Sequence, residues 1–367
     1  MADRELVQRA LDLVKRLSQK PRFAGSQEEA EARALCKGEL ERAGFACVER
    51  PFEYSQWPGT WGVPVAAAVQ AATILIVARI AMHQGPLVAL IAGAALYVAL
   101  LFGSADAKRR WITGLPFQRA SSVNLEAGRG NPSVWLVAHL DSKSQTVPML
   151  IRIASSIGMA AVTLIATIVL LFSLHGDPDV STTWHVLEVS ALIVALPSIM
   201  CWVRNQSPGA VDNASGVAAV LLAADALSSV RDLGGLVTSG EEVGLAGARV
   251  WAAKARTGIV ALNCDTVDDK GSWRMMYTGA VPGRIKVAAE AISSSGVPRP
   301  MMGRMIPGIL ADSMAFADRG IESVTVSRGT LSTLARIHTR GDNSSAFTGS
   351  GVAEASVLLA GLTRELA

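Results

Sequence analysis

Glu241 and Glu242 follow an apolar run and precede a glycine-rich turn, Val243-Gly244-Leu245-Ala246-Gly247. Adjacent carboxylates repel when both are ionised. A pair placed at the end of a buried strand therefore needs a cation or a proton to hold it there. Other side chains of matching chemistry recur at similar places. His139 and Asp141 follow Val134-Trp135-Leu136-Val137, and Asp265 follows Ile259-Val260-Ala261-Leu262. Asp212 precedes an apolar helix, and His338 lies in Ile337-His338-Thr339-Arg340-Gly341-Asp342. Imidazole and carboxylate ligands together suit Zn2+. Of the five histidines, His83, His175 and His185 lie in or next to long apolar stretches, which leaves His139 and His338 for the rest of the chain.

These residues need elements that bring them together. The pattern predicts helices over residues 5–18, 26–43, 217–228, 246–254, 285–294, 312–318 and 352–364. It predicts strands over 45–52, 121–126, 133–138, 234–238, 258–265 and 323–327. Ser26 with Glu29 reads as a capping box. Alternating strands and helices indicate an α/β fold with a mixed, mainly parallel central sheet flanked by helices. In such sheets the carboxyl ends of the strands are where sites form.

Composition separates two kinds of chain. Half of the 367 residues are hydrophobic and mean hydropathy is +0.34, the excess coming from Ala, Val, Leu and Ile. A net charge of +3 gives no case for nucleic acid. Cys36, Cys47, Cys201 and Cys264 lack paired spacing, which argues for a reducing compartment. The charged N-terminus shows no apolar signal region. Residues 63–78, 86–103, 153–174 and 189–203 are almost free of charge. A helix needs about 20 apolar residues to span a bilayer, so these stretches are expected to form two transmembrane hairpins in a lipid bilayer. The expected organisation is 1–60 (catalytic domain), 61–104 (hairpin 1), 105–148 (catalytic strands with His139), 149–204 (hairpin 2) and 205–367 (the remaining catalytic domain). Lys108, Arg109, Arg110, Lys143, Arg152 and Arg204 flank the hairpins on one side, whereas the far-side loop at 175–179 has no Lys or Arg. The positive-inside rule then places the catalytic domain in the cytoplasm of an integral membrane protein. Arg79 and Arg152 are the charges expected in the spans, with no carboxylate at mid-depth, which disfavours a transporter.

The motifs His139-Leu140-Asp141-Ser142, Gly209-Ala210-Val211-Asp212-Asn213-Ala214-Ser215-Gly216, Glu241-Glu242-Val243-Gly244-Leu245-Ala246-Gly247, Asn263-Cys264-Asp265 and His338-Thr339 occur in that order. As a set they resemble the co-catalytic di-zinc aminopeptidase family, which includes bacterial leucyl aminopeptidases and the glutamate carboxypeptidase type. Arg22-Phe23-Ala24-Gly25-Ser26 is similar to an upstream segment of that family. The resemblance implies a zinc exopeptidase-like fold, two Zn2+ per chain and a peptide or amide substrate. Asp212 would bridge the metals, with His139 and Asp265 on one and Glu242 and His338 on the other. Asp141 would accept a hydrogen bond from His139 and fix its tautomer. Glu241 would be the general base for the attacking water. The apolar hairpins fill loops that are short in the family. Ser313 stands where many relatives carry a ring that helps the tetrahedral intermediate. The leading expectation is a membrane-anchored aminopeptidase. A non-peptidase amide hydrolase or glutaminyl-cyclase-like enzyme is the alternative, and a catalytically silent membrane scaffold of the same fold is another.

Overall fold

The computed structural model describes residues 3–176, 179–292 and 300–367. Asp177 and Pro178 of the far-side loop, and Ser293 and Ser294 at the end of one expected helix, lie outside the described residues. So do the side chains of Lys108, Arg109 and Arg110. In chain order the elements begin with α1 (Arg4–Leu17), α2 (Gln27–Arg42), β1 (Ala46–Ser55), α3 (Trp57–Gln84) and α4 (Pro86–Gly114). Then come β2 (Arg119–Gly128), β3 (Val134–His139), β4 (Ser144–Gln145), α5 (Met149–Ser173), α6 (Ser181–Ile199) and β5 (Val203–Arg204). The chain continues through α7 (Ser215–Ala226), β6 (Leu233–Thr238), α8 (Ala246–Ala252), β7 (Val260–Val267), β8 (Ser272–Tyr277) and α9 (Gly283–Ile292). It ends with β9 (Met301–Arg304), α10 (Asp312–Ala317), β10 (Glu322–Gly329), α11 (Leu331–Arg336) and α12 (Ser350–Leu366). The chain divides into two units, one holding the main sheet and one holding α3 to α6.

The sheet of the first unit has eight strands in the order β1-β2-β6-β3-β7-β10-β8-β9. Its middle is parallel: β6 pairs with β3, β3 with β7, and β7 with β10. Antiparallel β2 borders β6 and antiparallel β8 borders β10. Every residue of β3 and β6 is buried, which explains why Val134-Trp135-Leu136-Val137 reads as an unbroken apolar run. On one face Trp135 and Val137 pack with Trp251 of α8 and Phe316 of α10. Trp251 stacks edge-on against Trp135 at 4.8 Å and against Phe316 at 5.6 Å between ring centres. Such pairs are each worth about 0.5–1.5 kcal/mol beyond their buried area. The mostly apolar α7 packs against β3, β7 and α12 and is buried from Ser215 to Ala224. α1 turns a stripe of Ala10, Leu13, Val14 and Leu17 inward, at the helical spacing read in the sequence. His139 and Thr238 are register partners, so β3 and β6 end level and deliver the following residues to one edge.

Two strand-forming segments departed from expectation. β8 and β9 extend the sheet beyond the predicted strands. The cap of α2 also differs. Ser26 Oγ accepts the amide of Glu29, but the Glu29 carboxylate accepts from Gly25 N at 2.7 Å and Ser122 Oγ at 3.0 Å instead of closing the box on Ser26.

The second unit comprises Ser55–Gln118 and Gln145–Arg204. Its first segment is longer than the expected 61–104, because α4 continues to Gly114 through Ala, Lys and Arg, which are good helix formers. α3, α5 and α6 are long and apolar enough to cross a membrane, and the apolar part Pro86–Ala99 of α4 is shorter. Instead of two independent hairpins, the four helices share one core, with Ile74, Val77, Ala89, Met159, Val162, Trp184 and Ala191 in contact. Their outward residues are also apolar: Ile157, Phe172 and Ile193 are each 66% exposed. That inverts the pattern of a water-soluble bundle. Glu188 lies inside α6, which reaches back from the charge-free 189–203 to Ser181 to gain the length of a span. The charge of Glu188 is met by Arg79 of α3 at 3.0 Å, and His185 Nδ1 lies 3.1 Å away.

Close packing of α5 on α6 depends on Gly158. A Cβ there would lie 2.8 Å from Val194 Cγ1, and valine is too stiff to yield. Gly158→Leu is expected to destabilise the helical unit by about 1–3 kcal/mol, read as a lower thermal-aggregation temperature in detergent. Gly176→Leu, where nothing lies within 4 Å, is the control and should leave it unchanged. Equal behaviour of the two variants would sink the packing claim.

Candidate metal centre

The residues singled out in the sequence lie at the carboxyl ends of β3 and β7, in the turn after β6, just ahead of α7 and after α11. His139 ends β3 and Asp265 lies near the end of β7. Glu241 and Glu242 follow β6 in the turn before α8, and Asp212 sits in Ala210–Ala214, just ahead of α7, where the backbone leaves helical angles at Asp212 and Asn213. His338 follows α11 with φ 60°, a left-handed conformation uncommon for a side chain larger than glycine. Backbone held in this region stores strain that the surroundings must offset.

The structure gathers these residues into two buried groups, each able to hold a cation: His139, Glu241 and Asp265, and Asp212, Glu242 and His338. Asp212 touches both. Its Oδ1 lies 3.2 Å from His139 Nε2 and its Oδ2 lies 3.1 Å from His338 Nε2. Around His139 Nε2, Asp265 Oδ1 follows at 3.6 Å and Glu241 Oε2 at 4.0 Å. Around His338 Nε2, Glu242 Oε2 lies at 3.2 Å. Yet neither Nε2 makes a hydrogen bond among the described residues, although both are buried. Buried ring nitrogens converging with carboxylate oxygens, without proton-sharing geometry, are what a metal ion satisfies. The donor set therefore fits zinc.

Charge balance points the same way. Burial disfavours protonated His139, but Glu241, Asp141, Asp212 and Asp265 together push its pKa well up. Burial, and then Glu242, Asp265 and Asp312, push the Glu241 carboxyl well above its ordinary value against the pull of His139. Burial also works against ionised Glu242, but His338 and Lys143 overcome it and bring it down to about 2. The site is rich in negative charge and its own cations are few.

Three residues hold the loops in place. The carboxylate of Asp141 accepts the amides of Glu241 at 3.2 Å and Glu242 at 3.1 Å. His139 Nδ1 meets the Asp141 backbone carbonyl at 3.1 Å, while the Asp141 carboxylate is farther away at 3.6 Å. His139 Nδ1 thus lies closer to the Asp141 carbonyl than to the carboxylate that the resemblance implied as its partner. Asp342 accepts the amides of Val211 at 2.7 Å and Asp212 at 3.1 Å. Arg22 is 1% exposed and donates to four backbone carbonyls: Leu17 and Pro208 at 2.6 Å, Leu140 at 2.9 Å and Gly209 at 3.0 Å. It ties the His139 loop to the Asp212 loop. Gly209 has to be glycine here, since it has φ 59° and a Cβ would meet Ser142 Cβ at 2.5 Å. The sequence marked Arg22 and Asp342 as members of motifs, but nothing local named their partners. Ser313 Oγ pairs with Thr325 Oγ1 at 2.7 Å in the core, so its hydroxyl is already engaged there.

A mainly parallel sheet with paired His–carboxylate groups at its carboxyl edge is the framework of a zinc-dependent hydrolase. The chain belongs to peptidase family M28, whose profile matches residues 123–362. Its fold is similar to that of the aminopeptidase from Aneurinibacillus sp. strain AM-1, at 15% identity, 98% of this chain, 93% of that one and a TM-score of 0.59. It is similar also to the glutaminyl cyclase of Fimbriiglobus ruber, at 14% identity, 100% of this chain, 97% of that one and a TM-score of 0.56. BSAP, a zinc aminopeptidase from Bacillus subtilis, aligns at 14% identity over 98% of this chain and 95% of that one, with a TM-score of 0.55. Among curated proteins, no sequence matches the chain. Membership of the family makes the protein a zinc metallopeptidase acting on peptides.

Proposed function

We propose that the chain is a membrane-anchored exopeptidase, an aminopeptidase using two zinc ions. The observation that carries the reading is the split of Asp212, one carboxylate oxygen toward His139 and the other toward His338. A carboxylate so placed joins two cations. His139 and Asp265 would complete one site, and Glu242 and His338 the other. When bound, a zinc pair polarises the scissile carbonyl and lowers the pKa of water from about 16 toward about 7.

The remaining chemistry belongs to the chain. Glu241 Oε2 is farther from His139 Nε2 than the oxygens of Asp212 and Asp265 are, which supports a proton carrier over a ligand. A carboxylate beside the attacking water can take its proton and return it to the leaving amine. Asp141 positions it by holding the amides of Glu241 and Glu242. The Asp141 carbonyl takes the Nδ1 proton of His139 and leaves Nε2 facing the carboxylates.

The three long apolar helices and their exposed apolar faces support anchoring in a lipid bilayer. Arg152 and Arg204 stand beside the near ends of the second insertion, which supports a cytoplasmic catalytic unit. Arg79, a cation toward the far end of α3, is paired with Glu188 and so counts less against that orientation.

A substrate panel with added zinc tests the activity. Free-amine peptides are expected to lose residues from their N-termini, and the same peptides with blocked N-termini to survive. Release only from N-acylated substrates would replace the aminopeptidase with a deacylase. Ring closure of N-terminal glutamine would replace it with a cyclase. For the anchor, reporters fused at His175 and at the C-terminus are expected on opposite sides of the membrane. The same side for both would remove the spans.

A further inference from the structure

Lys143 is the residue after Ser142 in the His139 loop, and its side chain is 13% exposed. Its Nζ lies 2.8 Å from Glu242 Oε2 and donates to the Glu242 backbone carbonyl at 2.8 Å. Its own amide donates to Glu242 Oε1 at 3.3 Å. The loop thus grips Glu242 at three points. Oε2 is also the oxygen that lies 3.2 Å from His338 Nε2. One carboxylate oxygen is therefore shared between an ammonium and the position where Glu242 and His338 converge. The other group has no such neighbour among the contacts described. Asp265 Oδ1 faces His139 and accepts a hydrogen bond from the Thr266 hydroxyl at 3.0 Å.

We infer that Lys143 makes the two metal sites unequal, weakening zinc at Asp212–Glu242–His338 relative to His139–Asp212–Asp265. The inference rests on the two-zinc reading above. Two effects act in the same direction. A fixed positive charge beside a ligand oxygen repels a dication at short range, and strongly so where water is excluded. The ammonium also takes up a lone pair of Oε2 that a metal ion would otherwise use. Lys143 is held by the Glu242 carbonyl as well as by the carboxylate, so it does not leave simply because the carboxylate is neutralised. Zinc then enters in sequence. The His139 group fills first and the Glu242–His338 group fills only at higher free zinc, so zinc supply sets the fraction of chains carrying the full pair.

The test is zinc titration of the full chain in detergent after metal stripping, with a competing chelator to resolve tight steps. Wild type is expected to bind in two resolved steps. Lys143→Met and Lys143→Gln should tighten the second step by at least about tenfold and leave the first alone. Lys143→Arg keeps the charge and should keep the steps apart. Two equal steps in wild type, or a second step unchanged or weaker in both neutral variants, would overturn the inference. A single zinc in wild type and in every variant would overturn the two-zinc reading, and the inference with it.

Discussion

Glu241→Gln keeps its zinc and loses turnover by about 100- to 10,000-fold, the usual contribution of a positioned general base. The substitution is nearly isosteric. The Glu241 amide still donates to Asp141, and the loop between β6 and α8 keeps its backbone bonds. What changes is the capacity to accept a proton. A carboxylate has that capacity and an amide has none. Because the loss falls on the transition state, kcat should fall and KM should change little. The measurement pairs metal content per chain with steady-state kinetics. Unchanged turnover would remove Glu241 from its role. Loss of zinc together with turnover would make it a ligand, in line with its grouping with His139 and Asp265.

Such a prediction could be framed from the sequence because metal ligands sit where strands end, and strand ends are legible. The buried β3 and β6 and the almost fully buried β7 announce themselves as apolar runs, and the acids and histidines at or after their ends stand out against that background. β8 carried a readable signal that was passed over: Trp273 and Met275 point inward between exposed Ser272 and Arg274, a period of two. β9 carried none, being four residues long and nowhere fully buried. α11 is also short, marked only by the box that Thr330 and Thr333 form. The anchors of the site were least legible. Arg22 reaches Leu140, Pro208 and Gly209, 118 to 187 positions away, and Lys143 reaches Glu242 across 99. Periodicity reports which face an element buries and says nothing about which distant residue meets it. In the sequence Lys143 was one more basic residue flanking an apolar stretch. In the fold it sits on the Glu242 carboxylate. Glu188 shows the same limit in the helical unit. A carboxylate reads as the end of a span until the fold supplies Arg79 beside it.

Asp212→Ala is expected to lose both metals, whereas His338→Ala and His139→Ala each lose one. The difference follows from the two oxygens of one carboxylate, each within reach of a different imidazole. Removing His338 takes a nitrogen from the Glu242 group and leaves His139, Asp212 and Asp265 facing one another. Removing the Asp212 carboxylate takes an oxygen from each group and also removes the anion that lies between two dications, whose mutual repulsion then goes unscreened. Both affinities should fall by at least about 100-fold, more than outer-shell changes cost. Turnover should fall at least as far as in Glu241→Gln. The backbone gives no competing explanation, since the Asp212 amide still donates to Asp342 and Val211 keeps its own bond there. Zinc titration of the three variants separates the cases. If Asp212→Ala kept one site at wild-type affinity, Asp212 would serve a single metal, and the paired-zinc chemistry would need another bridge.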